Sequence, residues 1–256
     1  MVCFMHLAMC ADGHSGSLAV DYVADHVLPL AEQVFQEVEG GDAADLLRVV
    51  VRRLCTGLYD FMREKMPDEQ MNSGTTATIV LVGPSSVSYA HVGDSRALLV
   101  RGGKAVQLTR DHRPTDDEER QRIFAAGGRI TYTGIPRVDG RLAMTRALGA
   151  FYLRNQGVTC EPDVGTVPLD GSVDNALIVA TDGLFDELRN DEVVAVTRQH
   201  KSAADAAKAL GEVALMYRAR DNVSAAVVPL PAWGDLYSPD ANNTFGFDRH
   251  LVRRAS

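Results

Sequence analysis

Long apolar runs are missing from this 256-residue chain; none approaches the ~20 residues needed to span a bilayer. Basic charge is also in deficit. The 26 Lys and Arg face 34 Asp and Glu, a formal net charge of -8. That balance opposes a general nucleic-acid binder and opposes docking on an anionic membrane. Cysteine is sparse. Cys3, Cys10, Cys55 and Cys160 lie far apart with no Cys-x-x-Cys, so reduced thiols in a cytoplasmic or nuclear protein are expected. The apolar opening to Ala11 has no basic start and runs straight into a polar motif, unlike a signal peptide. Against these absences, 46% hydrophobic and 23% charged residues are an ordinary globular mix that can bury a sizeable core in one large domain.

Two helical patterns follow Asp12-Gly-His-Ser-Gly16. The first runs to about Glu39, with Val20, Val23, Val27, Leu28, Ala31 and Val34 on one face, Ser15 or Ser17 as its cap and a kink at Pro29. The second runs from Asp42 to about Met66, with Leu46, Val50, Leu54, Leu58 and Phe61 at helical spacing. The period then changes. Thr76 to Val82, Val87 to Val92, Arg96 to Arg101 and Ala105 to Thr109 read as strands joined by connections too short for parallel crossovers. A charged helix (Thr115 to Ala126), a buried-type strand (Ala176 to Thr181), two more helices (Arg189 to Gln199, Ser202 to Tyr217) and a last strand (Val223 to Leu230) complete the pattern. Helix pairs alternating with hairpin strands predict α+β layers, in a domain over 1–230 with a loosely ordered polar tail over 231–256 that carries the only tryptophan, Trp233.

Asp12, Asp182 and Asp221 each border a candidate core strand. Strands lie ~4.8 Å apart, so carboxylates at their ends can converge on one ion. Carboxylates without His or Cys are hard ligands that favour Mg²⁺ or Mn²⁺ over Zn²⁺. Asp12 could bridge two such ions, and His14, two residues on, could protonate a leaving alkoxide. Taken singly, each Asp would be read as a turn or cap residue. Other chemistries fit poorly. Gly13-His-Ser-Gly-Ser17 fails the hydrolase nucleophile elbow at its last position, no cysteine has an Arg six residues on, and no phosphate-binding Gly-x-x-x-x-Gly-Lys loop exists.

The motifs Asp12-Gly-His-Ser-Gly16, Ser73-Gly-Thr-Thr-Ala77, His91-Val-Gly-Asp-Ser-Arg-Ala97, Arg110-Asp-His-Arg-Pro114, Arg141-Leu-Ala-Met-Thr-Arg-Ala-Leu-Gly149, Glu161-Pro-Asp163, Ala180-Thr-Asp-Gly-Leu-Phe-Asp186 and Asp221-Asn-Val-Ser224 occur in this order. Together, from about Phe4 to Val228, the chain resembles the metal-dependent protein serine/threonine phosphatases of the type 2C or PPM family. The resemblance implies an antiparallel β-sandwich with helices on both outer faces. It implies two Mn²⁺ or Mg²⁺ ions, with Asp12 bridging, the Gly13 carbonyl on one ion, and Asp182 and Asp221 on the other. His14 would be the general acid, Asp186 would serve a weaker third ion, and phosphorylated proteins would be the substrates of a monomer. Asp94 and Arg146 would hold loops.

Departures from the family pattern are explicit. The family's usual phosphate-binding Arg and water-ordering Glu have no counterpart among the eleven residues before Asp12. Losing a bidentate Arg contact costs roughly 1.5–3 kcal/mol, about 10–150-fold in rate. Ala150 stands where the family has an Asp ligand of the extra ion, and the segment from Gly149 to Glu161 is short, implying a trimmed substrate flap. The second reading is therefore a weak or inactive phosphatase-like domain that binds phosphoproteins.

Overall fold

The computed structural model describes residues 6–38, 40–65 and 71–237. In chain order it contains β1 (His6–Cys10), β2 (Gly13–His14), α1 (Leu18–Glu37), α2 (Ala43–Lys65), β3 (Gly74–Thr75), β4 (Ala77–Val82), β5 (Ser86–Val92), β6 (Arg96–Arg101) and β7 (Lys104–Gln107). Then come α3 (Asp117–Ala125), β8 (Ile130–Thr131), β9 (Arg137–Val138), β10 (Leu148–Gly149), a 3-10 helix (Phe151–Gln156), β11 (Asp163–Pro168) and β12 (Asp174–Ala180). The chain continues through α4 (Asp182–Phe185), α5 (Asn190–Thr197), α6 (Ala203–Met216), β13 (Ala225–Pro229) and α7 (Trp233–Leu236).

Two four-stranded antiparallel sheets, in the orders β1-β4-β5-β11 and β13-β12-β6-β7, form the sandwich. Side-chain alternation assigns the layers. In β4, Val80 and Val82 face inward and meet Leu99 of β6 and Leu177 and Val179 of β12. The intervening Ile79 and Leu81 face outward against Val23, Leu47, Leu54 and Leu58 of α1 and α2. Across the sandwich, Ala176, Ile178 and Ala180 of β12 face outward against Val193 of α5 and Leu210 and Val213 of α6. The result is the expected α-β-β-α layering. Every residue of β12 is buried, because both of its faces carry a core; its unbroken apolar run lacks the polar alternation of a half-exposed strand.

Local details differ from the sequence expectations. Ser17 occupies the α1 N-cap without a side-chain hydrogen bond. Ser73 performs that task from a distant part of the chain: its Oγ accepts from Ala19 N at 3.1 Å and donates to the Gly16 carbonyl at 3.2 Å. Ser15 is left-handed at φ 57°, a conformation incompatible with capping geometry. Pro29 lies within α1, which continues through it to Glu37. The first part of the tail is ordered: Leu236 is buried, and Trp233 Nε1 donates to the Lys201 carbonyl at 2.8 Å. The rest of the tail, from 238 on, and Cys3 lie outside the described residues.

The reduced-thiol expectation is overturned for two cysteines. Cys55 of α2 and Cys160, before β11, form a disulfide, with Cα atoms 6.5 Å apart and a sequence separation of 105. Sequence distance concealed the pair, because α2 packs across the outer face of β5 and β11 and brings them together. Cys10 stays a buried free thiol. Closing a loop of this length restricts the unfolded chain by ~4–5 kcal/mol in the chain-entropy picture. Cys160→Ser is expected to lower stability by about 2–5 kcal/mol in urea unfolding under oxidising conditions. Equal stability of wild type and variant in non-reducing buffer would show that the bridge contributes nothing.

Candidate active site

The sandwich brings its acids together at one end. Asp12 ends the turn after β1, and Thr76 fixes it twice: Asp12 N donates to Thr76 Oγ1 and Thr76 N to the Asp12 carbonyl, both at 2.9 Å. Asp182 opens α4 directly after β12, and Asp221 lies in the loop before β13. Gly183 lets these last two segments touch, since a Cβ there would collide with the Asn222 carbonyl. Gly13 and His14 form β2, paired with β3 so that His14 faces Gly74. A Cβ on Gly74 would come within 2.5 Å of the imidazole, so glycine is needed there.

The electrostatics show how closely the acids crowd. Burial, then Asp182, Asp221 and Asp94, push the Asp12 carboxyl up to about 8. The side-chain hydrogen bond between Asp12 and Asp182 acts in the same direction. Burial and Asp186 likewise raise Asp182, against the pull of Arg113. Its Oδ1 is buried without a partner. Asp94 is 3% exposed and belongs to the same cluster; burial and Asp182 lift it to about 7. Crowded, half-buried carboxyls whose pKa values are raised, next to an unpartnered carboxylate oxygen, are a site that a divalent cation would relieve. The donors are hard oxygens, so the residues fit Mg²⁺ or Mn²⁺. Among the described residues no three such side chains are drawn tightly enough around one point to hold an ion as they stand.

Arg113 is the residue that the sequence reading did not single out. Its Nη2 lies 2.8 Å from Asp186 and 3.5 Å from Asp182, and its Nε lies 3.2 Å from Asp94. Asp186, expected to serve a third ion, is thus paired with an arginine. Only the place of Arg113 inside Arg110-Asp-His-Arg-Pro114 pointed to it. His14 is half-buried with its Nε2 buried and unpartnered, and desolvation lowers its pKa to about 4.

Arg146 holds loops. It pairs with buried Glu119 at 2.6 Å, binds Asp163 at 2.8 Å and donates to the Glu161 carbonyl at 3.0 Å. Burial raises Glu119, but Arg146, Arg122 and Thr145 outweigh it and hold the acid well below the usual carboxylate range.

Stability should follow the raised Asp12 pKa. An acid whose folded pKa lies above its unfolded value releases its proton first in the unfolded chain, so stability falls as pH rises between the two. Without metal, the Tm is expected to drop from pH 5 to pH 8, across the window set by the usual Asp value and about 8. Asp12→Asn should flatten that slope, and Mn²⁺ should raise the Tm more at pH 8 than at pH 5. A metal-free Tm that rises over this range would contradict the raised pKa.

Comparison with known proteins agrees with this geometry. The family model described as Protein phosphatase 2C matches residues 5–223. The chain is 35% identical to protein phosphatase 1K, mitochondrial, of Xenopus laevis, over 91% of this chain and 63% of that protein. It spans about three fifths of the length of the curated relatives it matches. A solved Caenorhabditis elegans sex-determining protein superposes with a TM-score of 0.84 at 25% identity, over 91% of this chain and 58% of that one. The Mycobacterium tuberculosis serine/threonine phosphatase PstP/Ppp superposes with a TM-score of 0.65 at 26% identity, over 88% of each chain. With the ordered motifs, the layered sandwich and the acid cluster all in place, the chain belongs to the protein phosphatase 2C family.

Proposed function

We propose that the chain hydrolyses phosphoserine and phosphothreonine in proteins at the Asp12–Asp182 end of the sandwich. The observation that carries this reading is the convergence of Asp12, Asp94, Asp182 and Asp221 beside the buried, unpartnered Asp182 Oδ1, a cluster whose excess negative charge calls for cations. Two Mn²⁺ or Mg²⁺ ions, held by Asp12, the Gly13 carbonyl, Asp182 and Asp221, would supply activated water and neutralise phosphate charge.

The chain's own residues supply the rest. Thr76 fixes the backbone of Asp12, and the apposition of Gly183 and Asn222 holds the Asp182 and Asp221 segments in register. Arg113 pairs with Asp94, Asp182 and Asp186 and so offsets part of their mutual repulsion. His14 is the proton donor to the leaving Ser or Thr oxygen. Burial makes it neutral at rest, so it acts once the phosphate's negative charge favours the imidazolium; an acid of such low pKa then gives its proton readily to an alkoxide.

His14→Ala should lower turnover of an alkyl phosphopeptide at least ~100-fold and of an aryl phosphate much less, because aryl leaving groups need little protonation. Equal losses on both substrates would remove His14 from that role. In phosphate-release assays on a phosphothreonine peptide, activity should rise with added Mn²⁺, vanish with EDTA and be absent in Asp182→Asn. Activity that persists in EDTA or in that variant would overturn the reading. A second reading, a phosphoprotein-binding domain without turnover, draws on the pairing of Arg113 with Asp182 and Asp186. It predicts metal binding in calorimetry with turnover at background.

A further inference from the structure

A groove of about 660 Å³ lies along the outer edge of the second sheet, between β7 and α5. Four cationic side chains line it (Arg96, Lys104, Arg189 and Arg198) against the single carboxylate of Asp191, in a chain whose net charge is -8. The cations are not equivalent. Arg96 sits at one end, bound to Asp111 at 2.7 and 3.0 Å and to Asn190 at 2.6 Å, with its guanidinium 4.5 Å from the centre of the Phe185 ring. Arg189 pairs with Asp191 and Glu192. Lys104 and Arg198 are exposed and have no carboxylate partner among the described residues.

Both unpartnered cations lie at the far end. Lys104 pairs across the hairpin with Arg101, five residues along β6 from Arg96, about 17 Å in an extended strand. Arg198 follows α5, and its Nη1 reaches to 3.9 Å from where a Cβ on Gly103 would stand, at the same turn. The near end adjoins the acid cluster. Phe185 precedes Asp186, and Asp111, the partner of Arg96, lies 4.0 Å from Arg113. The groove thus leads from the site to a pair of free positive charges.

We propose that this groove holds an acidic stretch of the same polypeptide whose phosphorylated residue lies at the Asp12–Asp182 site. The proposal rests on the phosphatase reading above and adds a substrate preference to it. An extended chain advances ~3.3–3.6 Å per residue, so 17 Å of groove takes about five residues, and the step from Arg96 past Arg113 adds a few more. The acidic residues should therefore lie roughly five to eight positions from the phosphorylated one. Lys104 and Arg198 would meet them as exposed ion pairs, which sets a modest, salt-sensitive gain.

The test uses two pairs of phosphothreonine peptides, with Glu-Glu or Gln-Gln five to eight positions away on the N-terminal side in one pair and on the C-terminal side in the other. In one of the two pairs, the Glu peptide should show a KM roughly five-fold lower than the Gln peptide at low salt, with kcat alike. That preference should disappear at high salt and in Lys104→Glu/Arg198→Glu, while turnover of p-nitrophenyl phosphate stays as in wild type. Equal KM values within both pairs, or a preference that survives the double substitution, would overturn the groove. If no peptide is turned over, the phosphatase reading fails separately. Fluorescence anisotropy with the same labelled peptides then decides the groove: tighter binding of one Glu peptide, lost in the double variant, sustains it, and equal binding refutes it.

Discussion

Asp12, Asp94, Asp182 and Asp221, brought from separate segments to one end of the sandwich, repel each other, and much of the molecule at that end is arranged around this repulsion. Arg113 relieves it by spanning Asp94, Asp182 and Asp186, and what remains raises the pKa values of Asp12, Asp94 and Asp182. Such a cluster is costly to fold by itself. It persists because each acid hangs from a backbone held by something else: Thr76 for Asp12, a doubly buried strand for Asp182, the Gly183–Asn222 apposition for the segment of Asp221. Function and stability pull against each other here, and the sandwich supplies the excess stability that allows it.

The layers were legible in the sequence because side-chain periodicity is a local property. Strands over Arg96 to Arg101 and helices over Ala43–Lys65 and Ala203–Met216 follow directly from period two and period 3.6. The disulfide and the cap were not legible, because both join residues far apart in sequence. Cys55 meets Cys160 only after α2 lies across the first sheet, and Ser73 reaches Ala19 only after β3 pairs with β2.

The site was partly legible for the same reason. Asp12 and Asp182 stand where apolar strands stop, a signal visible along the chain. Asp94 and Arg113 sit in turns of ordinary appearance, and their place in the cluster comes from tertiary packing. The expectation of Arg146 as a loop-holder rested on its motif, and its contacts with Glu119, Asp163 and the Glu161 carbonyl give that role a physical form. Its pair with Glu119 is nearly dry, so removing either partner alone would leave a buried charge without compensation.

The burial of β12 on both faces divides the acid cluster into a stiff half and a soft half. Asp182 extends from the strand with the least access to water, whose amides exchange only when both cores open. Asp221 is exposed in a loop, its Oδ1 engaged by the neighbouring backbone N–H of Asn222 at 2.8 Å. A cation held between them would therefore be gripped from one side by a strand packed on both faces and from the other by an exposed loop.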